Sequence, residues 1–384
     1  HSCTGPLLSH KIPFSSSTQN VTVGAGAGES PLSEATTLHY APCTNQMMSV
    51  LVAIASGVIY QRTAPQQYRS NHDKIDPMSE NENAPYAPSA SAASAQHPHN
   101  ATSAAPTGTG DKPFNLEAVK KVRTLHLAQA KAAGEKFSML TCYDFLTAQI
   151  FDRSGIDMLL IGDSAANVVY GYESTLTVTL DEMIPLVASV ARGASRAMVV
   201  ADLPFGSYEQ SPAQAVASAA RLMKEGGAHA IKIEANAAMT EWVRAIVRAG
   251  IPVVAHVGFT PQSEHALGGF RVQGRGEKSD AVVADARALA EAGAFCVLLE
   301  MVTTETARRV DQAVGAVPTI GIGASNVTTG QVLVWQDAMG MREGKLPKFV
   351  KQFAQIGSLL EDAARAYRAE VRSGEFPAQE HTFE

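Results

Sequence analysis

The chain has 384 residues, of which 45% are hydrophobic, 18% charged and 6% aromatic, and its formal net charge is -6. That much apolar material excludes whole-chain disorder, and the mild acidity argues against nucleic acid as a partner. Four cysteines are too few for a disulfide scaffold, so a cytoplasmic globular enzyme with a sizeable core is expected.

The charge is unevenly spread. Of 31 basic and 37 acidic side chains, only ten fall before residue 111. Residues 1–110 are rich in Ser, Ala, Pro, Gly and Asn, as in PSASAASAQHPHNATSAAPTGTG. Such a run offers no apolar period to offset ordering entropy, so 1–110 is read as a disordered, low-complexity extension and 111–384 as the catalytic body. One apolar stretch, Met47 to Tyr60, interrupts the extension, but it is shorter than the ~20 residues that span a bilayer. Ala53-Ile54-Ala55 resembles a signal-peptide cleavage site, yet no basic cluster precedes the stretch, so no membrane association is expected. A translation start at Met78 is the alternative account of this region.

From Phe114 onward, short apolar runs alternate with Ala-rich helical stretches. Strands are expected at 137–142, 158–163, 198–204, 230–234, 252–258, 296–300 and 318–323, with a weaker eighth near 336–340. Helices are expected between them at 145–154, 181–194, 212–225, 240–249, 280–292 and 303–314. Strands that are apolar on both faces and joined by helices indicate parallel βα units. Eight such units in about 270 residues predict a (β/α)8 TIM barrel, for which ~250 residues is typical. A doubly wound sheet would carry a glycine-rich fingerprint after its first strand, and FSMLTCYDF has none.

Asp163, Asp202, Glu234, His256 and Glu300 each stand at or near the end of an apolar run. Any one alone reads equally well as a loop residue capping the next helix. Five together would converge on the mouth of a barrel, where active sites lie. Four gathered carboxylates need a cation or protons to coexist, and oxygen donors without a Cys/His pattern favour Mg²⁺ over zinc. Lys232 and Glu234 are two apart on one strand and therefore share a face, either as a structural ion pair or as a contact for an anionic substrate. Cys142 and Cys296 lie within strand runs and read as small core residues.

The motifs TCYDFLTAQIFDRSGIDMLLIGDSAANVVYG, STLTVTLDEM, VVADLPFGSY, AIKIE, AHVGFTPQS, GGFRVQGRG, LLE and GIGA…GQVLVWQD follow one another in order, and PAQEHTF closes the chain. In this combination the chain resembles the ketopantoate (3-methyl-2-oxobutanoate) hydroxymethyltransferase family, from about Phe114 to Glu384. The resemblance implies transfer of a one-carbon unit from 5,10-methylenetetrahydrofolate to the 2-keto acid 3-methyl-2-oxobutanoate, giving 2-dehydropantoate and tetrahydrofolate in pantothenate biosynthesis. It implies a Mg²⁺-dependent barrel assembled as a homo-oligomer, a decamer in typical members. Carried over by position, Asp163, Asp202 and Glu234 become metal-binding carboxylates. Asp163, Ser164, Asp202 and Lys232 become substrate contacts, and Glu300 becomes the catalytic acid/base. The apolar run CVLLE should raise the pKa of Glu300 and strengthen it as a base. His256 is either a partner that orients Glu300 or a core histidine. Arg271, Arg275 and Lys278 are candidates for the folate glutamate tail, for a neighbouring subunit, or for a solvated loop.

The chain departs from the family pattern at Ala235-Asn236, Glu264-His265, Thr177 and Ser325, all outside the five strand-end residues. Two alternatives to the implied activity are a different Mg²⁺-dependent 2-keto-acid lyase, of the phosphoenolpyruvate/isocitrate lyase type, and a non-catalytic barrel scaffold. The first would carry a K-[KR]-C-G-H-like loop, which is absent from the sequence. The second predicts loss of the mouth acids, which are all present.

Overall fold

A computed structural model of the chain describes residues 114–383. The readings made for residues 1–110, including the extension, the Met47–Tyr60 stretch and the Met78 start, lie outside the described residues.

Eight parallel strands close into a barrel in simple sequential order. They are β1 (Phe137–Thr141), β2 (Met158–Ile161), β3 (Met198–Asp202), β4 (Ala230–Glu234), β5 (Val253–Gly258), β6 (Cys296–Glu300), β7 (Thr319–Ile322) and β8 (Gly330–Leu333). The helices in chain order are α1 (Thr124–Ala133), α2 (Phe145–Arg153), α3 (Ala165–Val168), α4 (Leu180–Gly193), α5 (Pro212–Lys224) and α6 (Thr240–Arg248). They continue with α7 (Glu264–Leu267), α8 (Lys278–Glu291), α9 (Thr304–Ala313), α10 (Trp335–Ala338) and α11 (Ile356–Ser373). Local signals start several of them. Thr179 and Glu182 form a reciprocal capping box on α4, and Ser211 caps α5 with Pro212 in its first turn.

The period-two alternation of the strands builds two cores. Outward residues such as Ile231, Ile233 and Val199 pack with the helices, while Met139, Met158, Met198, Val254 and Leu298 fill the barrel interior. Helix α1 belongs to the inner core through Leu127 and Ala130, which pack with residues at the N-terminal ends of the strands, such as Phe137 and Met158. The sequence reading did not anticipate this plug.

The eighth strand is corrected. It lies at Gly330–Leu333, whereas 336–340 falls largely in the short helix α10. β7 and β8 are joined without a helix, and two glycines make the tight packing there feasible. A Cβ on Gly330 would sit 2.2 Å from the Phe137 ring, and one on Gly321 would sit 2.8 Å from Thr328 Oγ1. Among the described residues, no helix is long and apolar enough to cross a membrane.

Candidate active site

Register brings the titratable residues together at the C-terminal ends of the strands. Asp202 pairs across from Lys232, Glu234 from His256, and Gly258 from Glu300. Lys232 Nζ donates to Asp202 Oδ2 at 2.9 Å, and both side chains are almost wholly withdrawn from water. The same Oδ2 accepts the backbone N–H of Asp163 at 3.0 Å, whereas Asp202 Oδ1 is buried without a partner. Gly162 permits this close turn, because a Cβ there would lie 2.8 Å from Ser164 Oγ. Ser164 Oγ is itself 2.8 Å from the Tyr143 hydroxyl.

Gln262, in the turn after β5, organises the carboxylates and was not singled out from the sequence. Its Nε2 donates to Asp163 Oδ2 at 2.9 Å and to the Leu203 carbonyl at 3.0 Å. Its backbone N–H donates to Glu234 Oε2 at 3.0 Å, and its Oε1 accepts from the Tyr208 hydroxyl at 2.6 Å. One neutral amide thus ties the ends of β2, β3 and β4 together. The only signal for it was its position in the TPQS motif.

His256 stands between two acids, with Nδ1 3.6 Å from Glu234 Oε1 and Nε2 3.4 Å from Glu300 Oε2. Burial holds its pKa well below 6.5, and the Lys232 charge acts in the same direction, so the imidazole is neutral. Burial pushes Glu300 up to about 8, and the Glu234 charge adds to this while Lys232 opposes it. Glu234 is raised to about 8 by burial against the opposing pull of Lys232, with Asp202 adding to the rise. Asp163 is raised to about 7, by burial and then by Asp202. Burial alone would lower Lys232, but Asp202, Asp163 and Glu234 more than offset this and keep it an ammonium.

Next to Glu300 the backbone is strained. Met301 has φ 47°, alone among the described non-glycine residues in the left-handed region. Hydrogen bonds from Met301 N to Ile322 O and from Gln273 N to Met301 O hold the turn.

All seven candidates, Asp163, Ser164, Asp202, Lys232, Glu234, His256 and Glu300, line one cavity of about 740 Å³. Arg271, Arg275 and Lys278 line neither this cavity nor the one beside it. Cys142 and Cys296 are buried in the cores, and burial raises both thiols, Cys142 to about 12. Neither is suited to act as a nucleophile. Among the described residues, no three His, Cys, Asp or Glu side chains form a ready-made metal cage. Mg²⁺ needs no such cage, since one or two carboxylates with water and substrate oxygens commonly suffice. Asp163 and Asp202 fit that donor set, and the unpartnered Asp202 Oδ1 is an oxygen left over by the protein's own hydrogen bonding.

A closed parallel barrel with a carboxylate-rich mouth at its C-terminal face defines a (β/α)8 enzyme. The family model described as ketopantoate hydroxymethyltransferase matches residues 121–379. A relative from Arthrobacter sp. (strain FB24), named 3-methyl-2-oxobutanoate hydroxymethyltransferase, is 59% identical over 280 residues, covering 73% of this chain and 91% of its own. A relative of the same name from Saccharopolyspora erythraea is 57% identical over 265 residues, covering 69% and 90%. Among solved structures, phosphonopyruvate hydrolase with oxalate and Mg²⁺ aligns at 15% identity and a TM-score of 0.46, covering 67% of this chain and 92% of that one, too distant to carry an argument. The chain belongs to the ketopantoate hydroxymethyltransferase family and is a transferase.

Proposed function

We propose that this enzyme moves a one-carbon unit from 5,10-methylenetetrahydrofolate to 3-methyl-2-oxobutanoate. With one water, the products are 2-dehydropantoate and tetrahydrofolate. The observation that carries the reading is the division of the mouth. Asp163, Asp202 and Lys232 cluster on β2 to β4, while Glu300, with its raised pKa, faces them from β6 across His256.

Mg²⁺ held by Asp163 and Asp202, with Glu234 behind them, would supply positive charge to the carboxylate and ketone oxygens of the keto acid. Lys232 adds a fixed ammonium beside the same oxygens, and Ser164, held by Tyr143, offers a hydroxyl. Glu300 takes the proton from C3. Its raised pKa makes it a stronger base than an ordinary carboxylate, provided the pH is high enough to ionise it. Water adds to the methylene carbon as its two C–N bonds break, which returns both water protons to the folate nitrogens and leaves the one-carbon unit at the formaldehyde level. The C3 carbon then bonds to that carbon, and the proton on Glu300 passes to its oxygen to complete the hydroxymethyl group. Neutral His256 keeps Glu300 and Glu234 apart without adding charge. The enzyme acts on small molecules as a homo-oligomer, which the high identity to the family supports.

The test is C3 hydrogen exchange of 3-methyl-2-oxobutanoate in D₂O with Mg²⁺, followed by NMR, and then addition of the methylene folate. Exchange and 2-dehydropantoate are expected. The absence of both would overturn the assignment.

A further inference from the structure

The mouth has a second chamber that the keto acid does not need. It encloses about 900 Å³, within the range that holds an extended small ligand, and it shares Phe270, Glu300, Arg342, Pro347 and Phe349 with the first. The two chambers therefore meet at Glu300, the residue assigned to C3.

Their electrostatics are opposite. The first is lined by six acids, Asp163, Glu173, Asp202, Glu234, Glu300 and Asp337, against Lys232 and the shared Arg342. The second is lined by Arg342, Lys345 and Lys348, and Glu300 is its only acid. Arg342 lies 3.6 Å from Asp337, while among the described residues neither lysine takes part in an ion pair. The keto acid's carboxylate would enter the first chamber only together with the cation, whereas the carboxylates of a longer second ligand would be drawn to Lys345 and Lys348 of the second.

The apolar walls match a flat body. Phe349 packs against Gly323 at the end of β7 so closely that a Cβ there would lie 2.7 Å from the ring. Gly323 has φ +61°, so a side chain is disfavoured on conformational grounds as well. Phe270 is 68% exposed although its ring packs on the buried Phe259 at 4.8 Å. A large aromatic left open at the rim of a cavity is placed to cover a ligand.

We infer that this second chamber seats the folate donor, with its aromatic body between Phe270 and Phe349 and its glutamate carboxylates at Lys345 and Lys348, so that the methylene carbon reaches Glu300 from the side opposite the metal carboxylates. The inference rests on the proposed reaction. It moves the tail site away from Arg271, Arg275 and Lys278, which line neither chamber.

The test is the double variant Lys345→Glu/Lys348→Glu, assayed for the KM of each substrate separately. The KM for 5,10-methylenetetrahydrofolate should rise about tenfold or more, because two charge-assisted contacts are reversed, while the KM for the keto acid holds. p-Aminobenzoylglutamate, which carries the tail without the pterin, should compete with the donor in the wild type and lose potency in the variant. Gly323→Ala, which displaces the Phe349 ring, should raise the donor KM more than the keto-acid KM, because the ring lines both chambers but faces the donor body in the second. An unchanged donor KM in the charge-reversed enzyme, or equal rises for both substrates, would overturn the inference. Failure of the wild type to exchange C3 would instead overturn the reaction on which it rests.

Discussion

The lower and upper halves of the barrel interior are made from the same strands and obey opposite rules. On β4, Ala230 belongs to the apolar inner core, whereas Lys232 and Glu234, two and four residues further on and on the same face, belong to the charged mouth. β3 passes likewise from Met198 to Asp202, and β6 from Cys296 to Glu300. The lower half closes on itself, plugged by Leu127 and Ala130 of α1. The upper half leaves Asp202 Oδ1, Glu234 Oε1 and both nitrogens of His256 buried and unpartnered. Each such atom costs about 1–3 kcal/mol, which the apolar layer below and the helical shell outside must offset. The comparison teaches that the strand ends are arranged for a ligand and the strand beginnings for stability.

Three substitutions would break that division if it is wrong. The largest effect is expected for Glu300→Gln, which should slow C3 exchange by about 10³-fold and leave the fold intact. In the wild type without Mg²⁺, exchange should climb with pH until Glu300 is ionised near its raised value of about 8. Added Mg²⁺ should move that midpoint lower by countering the neighbouring negative charge. Wild-type exchange in the variant would remove Glu300 from the reaction. Next, Lys232→Met strips the only ammonium from the acid cluster and should destabilise the metal-free protein by about 3–5 kcal/mol in urea denaturation. The loss should shrink when Mg²⁺ is present. Met158→Ala in the lower half should cost about 3 kcal/mol of stability while leaving the KM of both substrates unchanged at temperatures where the variant is folded. A changed KM would show that the two halves are mechanically coupled.

Seven of the eight strands were legible because each is a short, mostly apolar run, and most of the longer helices between them start at a side-chain cap, Asp144, Thr179, Ser211 or Thr303. β8 was not, because Gly330, Gln331, Val332 and Leu333 make a short run in which Gln331 is exposed, and no helix precedes it. Helix α1 was missed because TLHLAQAKAA carries few large apolar residues, and its role comes from where it docks. Asp202, Glu234 and Glu300 could be found because each ends an apolar run, and strand alternation puts Lys232 on the same face as Glu234 without any tertiary information. Gln262 could not, since its partners Asp163, Leu203, Tyr208 and Glu234 are scattered over some 99 positions of sequence and meet only when the barrel closes. The chamber cations are similar. The basic residues that catch the eye in GGFRVQGRGEK point elsewhere, and the less conspicuous segment after α10 supplies Lys345 and Lys348.

The two halves should also differ in the sign of their response to pH. In the mouth, Glu234 and Glu300 are raised from 4.5 to about 8, so the folded state holds more protons than the unfolded chain between those values. Without metal, this contribution to stability falls as pH rises through that window. At the other end, His229 precedes β4 and its Nδ1 accepts the backbone N–H of Val199 at 2.9 Å. Burial, with Lys121 and Arg123 acting in the same direction, lowers its pKa from 6.5 to about 4. Here the unfolded chain holds the extra proton, so this contribution falls as pH drops from 6.5 toward 4. Because His229 is only partly buried, the linkage should be about 1 kcal/mol after discounting for solvent screening. The mouth terms are common to both proteins and cancel when wild type is compared with His229→Gln. Urea midpoints at pH 7 and pH 4.5 should therefore show the wild type losing about 1 kcal/mol more than the variant on acidification. Equal losses would mean that His229 titrates alike in both states, and the lower half would then contribute nothing to the acid limb.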